Sequence, residues 1–440
     1  MYYAKWEKEK NIKNNFQKIN VDKEVIASGT PIESDNTKVL YTTKSDGHTL
    51  VIGTTGSGKT QATILPSLKL SLLAGESVII NDVKGELYRE TAYNFKEKGY
   101  KLIVLDFDDT TLGNNWNPLV LPYEIYKENK DKAATLLEEL GYYLFTEPNE
   151  SADSFWTNSV IDYFTGIAMY LFENKKEVTL KSIYQLANKL EDDKEKDKFL
   201  KELNKDSNIY INVHGTLTSP KETRGGIVAT FNQKMKKYIG FENLSDMLSK
   251  NDIDLKQIGN EKVAIFIVSG LTTYSNSLIP LFINQVIETV DIYNSAQKKI
   301  NIILDEFDTM LPILNFSKVI TYARGLGIRI TVVIKSYLDL INNYGKENAE
   351  IIKACFPTII YLLSQDIYTL EEISKMCGNT EISGKVRPLI TEEELKVLKP
   401  FEAIILIPRL MPYKTKLLPD YKIDWNLEKK SIDIPKRKNN

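Results

Sequence analysis

The sequence predicts an α/β fold: a mainly parallel sheet, interrupted partway by an all-helical stretch. Three observations predict it. Apolar runs with strand character, TLVIG, SVIIND and KLIVLDF, alternate with segments suited to a helix; each run after the first follows about twenty such residues, the mark of βαβ units. That rhythm stops after NNWNPL (Asn114 to Leu119), and from about Pro122 to Leu248 the chain reads as helix. Strands then resume with VAIFIVSG, INIILDEF, IRITVVI, TIIYLLS and EAIILIP.

One sheet with an insertion accounts for this order. The expected organisation is a polar lead-in over 1–47 and an α/β domain formed from 48–121 and 249–420. Residues 122–248 form an all-helical insertion, large enough for a subdomain, and 421–440 a loosely attached basic tail. Inside the insertion, EDDKEKDKFLKELNKD reads as a solvated helix face and VIDYFTGIAMYLF as core. No internal repeat is visible.

Composition narrows the function. The chain has 440 residues, 42% hydrophobic and 26% charged, which is globular and long enough to bury a large core. Its net charge of −2 provides no global positive field, so any nucleic-acid contact has to be a local groove. Two cysteines, Cys355 and Cys377, with no Cys-x-x-Cys pair, argue against a zinc site or a disulfide framework and fit a reducing cytosol. His48 and His214 are the only histidines, which excludes a His-rich metal site. The N-terminus has no apolar signal core, and no uninterrupted apolar run approaches the ~18 residues of a membrane span.

The most specific pattern is GTTGSGKT: Gly53, Thr54, Thr55, Gly56, Ser57, Gly58, Lys59 and Thr60, directly behind a strand and ahead of the helical stretch QATILPSLKLSLLAG. The spacing matches the phosphate-binding P-loop. Its glycines let successive backbone N–H groups curl toward phosphate oxygens at a helix N-terminus. Lys59 reaches the β and γ phosphates of ATP, and the Thr60 hydroxyl takes Mg²⁺.

Such a loop requires acids at the end of a neighbouring strand. INIILDEFD supplies adjacent carboxylates, Asp305 expected on Mg²⁺ and Glu306 as the base that polarises the attacking water. SVIINDVKGE offers Asp82 and Lys84 at a comparable strand end, either facing nucleotide or only terminating the strand. Lys59 and Asp305 lie 246 positions apart, which implies intervening strands plus the insertion and points to a RecA-like P-loop NTPase core.

At this point the chain resembles the type IV coupling proteins of conjugation and type IV secretion, the TraG/TraD-like ATPases. The likeness runs in order over roughly residues 48–408: HTLVIGTTGSGKT, NDVKGELY, NNWNPL, DSFWTNSV with its Phe155–Trp156 pair, LDEFDTM and CFPTIIYLLSQDIYTLEEISKMCG. The resemblance implies a hexameric ATPase that moves single- or double-stranded DNA, without sequence readout, toward a secretion channel. A relaxase or other secreted protein is the implied cargo. It also implies that a neighbouring subunit completes each site with an arginine, placed by the match on Arg324 in YARGLGIRI; Arg224 in KETRGGIVATF is the second choice.

The chain departs from the family in three places. The family's N-terminal membrane spans have no counterpart, so a separate anchor subunit or surface docking is expected, with the protein cytoplasmic and peripheral at the inner face of the bacterial membrane. Lys335 stands where the family carries a glutamine γ-phosphate sensor; a lysine cannot accept a hydrogen bond, which makes it a candidate for direct phosphate contact. Val83 replaces a proline beside Asp82.

For DNA, Lys234, Lys236 and Lys237, and the tail Lys436, Arg437 and Lys438, are basic clusters that read as solvated surface. Two other functions suit the same residues: a different DNA motor of the FtsK and HerA kind, or a cargo receptor that binds nucleotide and barely turns it over.

Overall fold

The computed structural model describes residues 3–43, 47–147, 154–174, 176, 178–270, 272–293 and 296–437; Asp153 and Lys438, named above, fall outside them. The strands in chain order are β1 (Gln17–Asn20), β2 (Pro31–Asn36), β3 (Val39–Thr42), β4 (Thr49–Gly53), β5 (Ser77–Asn81) and β6 (Lys101–Asp106). They continue with β7 (Val263–Val268), β8 (Ile300–Leu304), β9 (Ile328–Ile334) and β10 (Thr358–Leu363), then β11 (Asn379–Ile382), β12 (Lys385–Pro388), β13 (Glu402–Leu406) and β14 (Tyr413–Lys416).

The main sheet among the described residues runs β14-β13-β10-β4-β9-β8-β5-β7-β6. Pairing is parallel from β10 through β4, β9, β8 and β5 to β7, and antiparallel where β13 joins β10 and β14 joins β13. Every residue of β4, β5, β7, β8 and β9 is buried. Covered on both faces, such strands read as near-continuous apolar runs, which is why they were legible.

The chain divides into two compact units. The first comprises Met1–Ile103, Leu255–Val268 and Ile287–Asp433, and the second Val104–Asp254, Ser269–Val286 and Ile434–Asn440.

In the first unit, the stretch read as a lead-in carries β1, β2 and β3, a small antiparallel sheet. Its strands are four to six residues long and mix buried with exposed positions without a clean alternation, a pattern too short and too polar to stand out in sequence. Ile19 and Leu40 from this sheet, with Val21 and Val25 from the segment after β1, share a core with Leu70, Ile423 and Trp425. Residues 423–425, assigned to a loose tail, are therefore packed.

At the start of β9, Arg329 is buried and bonded to Ser28 Oγ and Asn301 Oδ1, each at 2.8 Å, with Glu76 Oε2 at 3.5 Å. A charge at this depth requires such a network.

The second unit is helical, with helices Lys130–Phe145, Ser154–Glu173, Leu180–Lys189, Asn208–Thr218 and Lys221–Ile239 around Phe145, Phe164 and Phe231. The EDDKEKDKFLKE stretch forms the helix Asp193–Glu202, which buries Phe199 alone. The last described residues are docked: Pro435 O accepts from Gly113 N at 2.8 Å, and Arg437 is 7% exposed. Of the thiols, Cys377 is buried and Cys355 half-buried. Among the described residues, no helix is long and apolar enough to cross a membrane.

Candidate nucleotide site

The loop after β4 is shaped by its glycines. Gly56 and Gly58 adopt φ of +80° and +88°, a left-handed region that side chains with a Cβ avoid. At Gly58 a Cβ would also come within 2.8 Å of the Phe401 ring, so that ring lies directly against the loop backbone. The loop's start is tied to the sheet by Thr54 N, which donates to Leu363 O at 3.0 Å at the end of β10. Beyond it the backbone winds as a π-helix over Thr60–Ile64 before becoming the α-helix Leu65–Ala74.

Lys59 and Ser57 are buried, at 9% and 6% exposure. Ser57 Oγ and Gln61 Oε1 are buried without a hydrogen-bond partner. A hydroxyl and a lysine both sequestered in a positive-φ loop fit a phosphate group, which would satisfy them.

Asp305 and Glu306 follow β8. Burial raises the Asp305 carboxyl to about 6; Lys59 opposes the rise, while Glu306 and Asp82 add to it. These influences place the four side chains in one neighbourhood, although 246 positions separate Lys59 from Asp305. The acids are not on the strand next to the P-loop strand, as expected from sequence: β9 runs between β4 and β8. Glu306 itself has φ 48° and ψ 47°, a left-handed conformation costing on the order of 1–3 kcal/mol outside glycine. Its amide donates to Asp305 Oδ1 at 3.0 Å, and Asn81 Nδ2 holds the Asp305 carbonyl at 2.8 Å.

Asp82 is buried and its Oδ2 accepts from Tyr88 N at 2.7 Å, at the beginning of the helix Glu86–Glu97. Burial raises its pKa against the pull of the amides of Tyr88, Leu87 and Glu86. Its visible work is thus to hold a helix start. Lys84 is exposed.

Lys335 follows β9 and pairs with Asp308, Nζ to Oδ2 at 3.0 Å. Asp308 had not been singled out in sequence; it sits in the short turn Phe307–Thr309 behind the acidic pair.

Arg324 is not brought to the P-loop of its own chain. It is exposed in the last turn of the helix Phe316–Gly325, and it acts electrostatically on His48, just ahead of β4. The P-loop leaves the other end of that strand, about 15 Å away at 3.3 Å per residue. Arg224 is buried: its guanidinium donates to Asp193 Oδ1 at 2.8 Å and to Leu217 O at 3.4 Å inside the helical unit.

Sequence reading also missed a cleft of about 970 Å³ beside the P-loop helix, lined by Gln61, Arg89, Tyr421 and Trp425 among others. No apolar periodicity marks it, because its walls come from distant segments. Among the described residues no group of three or more His, Cys, Asp or Glu could hold a metal alone. A magnesium here would draw most of its ligands from phosphate and water, which suits that ion.

With this geometry in hand, known proteins can be compared. Over 353 residues the chain is 22% identical to the type IV secretion system-coupling protein VirD4 of Bartonella henselae, covering 76% of this chain and 54% of the relative. It therefore spans about half the length of that relative.

Among solved structures, the plasmid coupling protein TrwB bound to the non-hydrolysable ATP analogue ADPNP superposes with a TM-score of 0.67, at 14% identity and 95% coverage of both chains. Unbound TrwB gives 0.66 at 13% identity, covering 92% of this chain and 94% of that one. VirB4 of Thermoanaerobacter pseudethanolicus gives 0.53 at 12% identity, covering 90% and 98%. These likenesses establish the fold, an α/β P-loop NTPase core. The family described as Type IV secretory system Conjugative DNA transfer matches residues 3–385, and the chain belongs to it.

Proposed function

We propose that this protein is a Mg²⁺-dependent ATPase that couples DNA, free or linked to a relaxase or other cargo protein, to a type IV secretion channel. The observation that carries the reading is the convergence of Lys59, Asp305 and Glu306 beside a glycine loop whose buried Ser57 hydroxyl lacks a partner. Gly53 to Thr60 wrap the phosphates, and Lys59 neutralises them. The Thr60 hydroxyl and the Asp305 carboxylate would hold Mg²⁺, which would supply charge neutralisation at the phosphate oxygens. Glu306 takes the proton of the attacking water. Asp82 fixes the neighbouring helix, and Lys335 faces the terminal phosphate.

Arg324 serves a neighbouring subunit's site in a homo-hexamer; its exposure, and its distance from its own P-loop, support a role in trans. The DNA path needs only phosphate contacts, so neither a basic net charge nor a sequence-reading motif is required. We place its action at the inner face of the bacterial membrane, where such a channel begins.

The test is phosphate release by the full chain, with and without single-stranded DNA, for wild type and Lys59→Ala. The reading expects DNA-stimulated turnover that Lys59→Ala reduces at least a hundredfold, since an electrostatic contact of this kind contributes about 10²–10³. Turnover equal in both proteins overturns the site assignment. Binding of ATP with no hydrolysis under any DNA condition supports a cargo receptor instead. Mass in solution with ATP and DNA present checks the hexamer.

A further inference from the structure

The two registers that meet at β9 locate Lys335. In the β4–β9 ladder Ile52 pairs with Ile334, so Lys335 emerges level with Gly53, the first residue of the phosphate loop. In the β8–β9 ladder Leu304 pairs with Val332, so Lys335 stands two residues beyond the level of Asp305. β9 thus carries Lys335 on the strand between that of the loop and that of the acidic pair.

There it is held by Asp308 at 3.0 Å, and the two ends of this pair are unequal. The Asp308 backbone is pinned, its carbonyl accepting from Asn343 Nδ2 at 3.0 Å, and the side chain is 14% exposed. Asp308 Oδ1 is buried without a partner. The lysine is 37% exposed on a flexible four-carbon stem. A fixed, half-satisfied carboxylate therefore holds a cation that can swing.

We infer that Lys335 exchanges partners, from Asp308 to the γ-phosphate, so that the Lys335–Asp308 pair distinguishes a triphosphate from a diphosphate at this site. This rests on the ATPase reading above. An ADP leaves the pair closed, because its β-phosphate is taken up by the loop and Lys59. An ATP offers a second, doubly charged partner on the other side of the ammonium. Asp308 competes for the cation and so acts as a positioning residue, while Lys335 touches the nucleotide.

The experiment is equilibrium binding of Mg-ADP and of Mg with a non-hydrolysable ATP analogue to the full chain, with melting temperature as a control for folding. Lys335→Met is expected to weaken the analogue about tenfold or more, the worth of one charge-assisted contact, and to leave ADP within about twofold. Asp308→Asn is expected to tighten the analogue several-fold with ADP unchanged, because the competitor is gone. The double variant should match Lys335→Met, and Lys335→Arg should restore most of the analogue's advantage. If Lys335→Met melts early, Lys335→Gln supplies the same comparison.

Equal changes for both nucleotides, or a weaker analogue in Asp308→Asn, overturn the exchange while leaving the ATPase reading intact. If Lys59→Ala binds both nucleotides as tightly as wild type, the ATPase reading falls and this inference falls with it.

Discussion

His48 Nε2 lies 2.8 Å from the Ile320 carbonyl, while its Nδ1 lies 3.0 Å from the Ile330 amide. A carbonyl can only accept and an amide only donate, so the ring is fixed as the neutral Nε2–H tautomer. A protonated ring would turn a donor against the Ile330 N–H. Burial accordingly pushes its pKa down to about 4; repulsion from Arg324 and Arg329 adds to the drop, against the Ile320 bond.

This histidine makes stability depend on pH. The unfolded chain takes up its proton near 6.5, and the folded chain not until about 4. The contribution is therefore complete above about pH 6.5 and is lost as pH falls from 6.5 to 4, amounting to about 3 kcal/mol. Replacing it by His48→Phe leaves the Ile330 N–H unpaired, at about 1–3 kcal/mol, and removes that slope. Urea midpoints of the two proteins at pH 7 and pH 4.5 check this; the gap should narrow at low pH.

Glu306→Gln keeps the side chain's volume while removing the proposed base. Nucleotide binding is expected to survive and hydrolysis to fall by about 10²–10⁴. Asp305→Asn should instead raise the magnesium concentration required for half-maximal turnover. A magnesium titration of phosphate release for both variants separates these outcomes.

The two arginines predict opposite phenotypes. Arg324 is exposed, so Arg324→Ala should shift stability by no more than about 0.5 kcal/mol, while hydrolysis falls roughly a thousandfold. Mixing it with Lys59→Ala protein should restore part of the activity, since in the proposed shared site each subunit then supplies what the other lacks. Arg224→Ala should cost about 2 kcal/mol of stability through lost packing and an unpaired Leu217 carbonyl, with no rescue by mixing.

Arg437 docks the chain's end through Thr110 O at 3.0 Å, Asn115 Oδ1 at 2.8 Å and Asn243 O at 3.1 Å, with Asp246 as its ion partner. Arg437→Ala should destabilise the helical unit by about 3 kcal/mol and expose the end to proteases. Limited proteolysis followed by mass measurement checks it; a terminus as protected as wild type contradicts it.

Gly53 to Thr60 were readable because a phosphate loop is local: every participating group lies within eight consecutive positions. The fully buried strands were readable because burial on both faces leaves a short, near-continuous apolar run rich in β-branched residues. β1, β2 and β3 were not, since strands of four to six residues with irregular burial carry almost no pattern. Nor was the docking of Arg437, because a basic tail gives no sign of which buried acceptors await it.

What the sequence determined alone was thus the chemistry available: which residues can grip phosphate, bind metal or move a proton, and that they sit at strand ends. What only the tertiary structure decided was which of them meet. Strand order placed β9 between β4 and β8, and so put Lys335 beside the loop and gave it Asp308. It also set Arg324 at the far end of the strand and buried Arg224 in another unit. Pairing order is a long-range outcome of packing, to which the local run of residues contributes no direct signal.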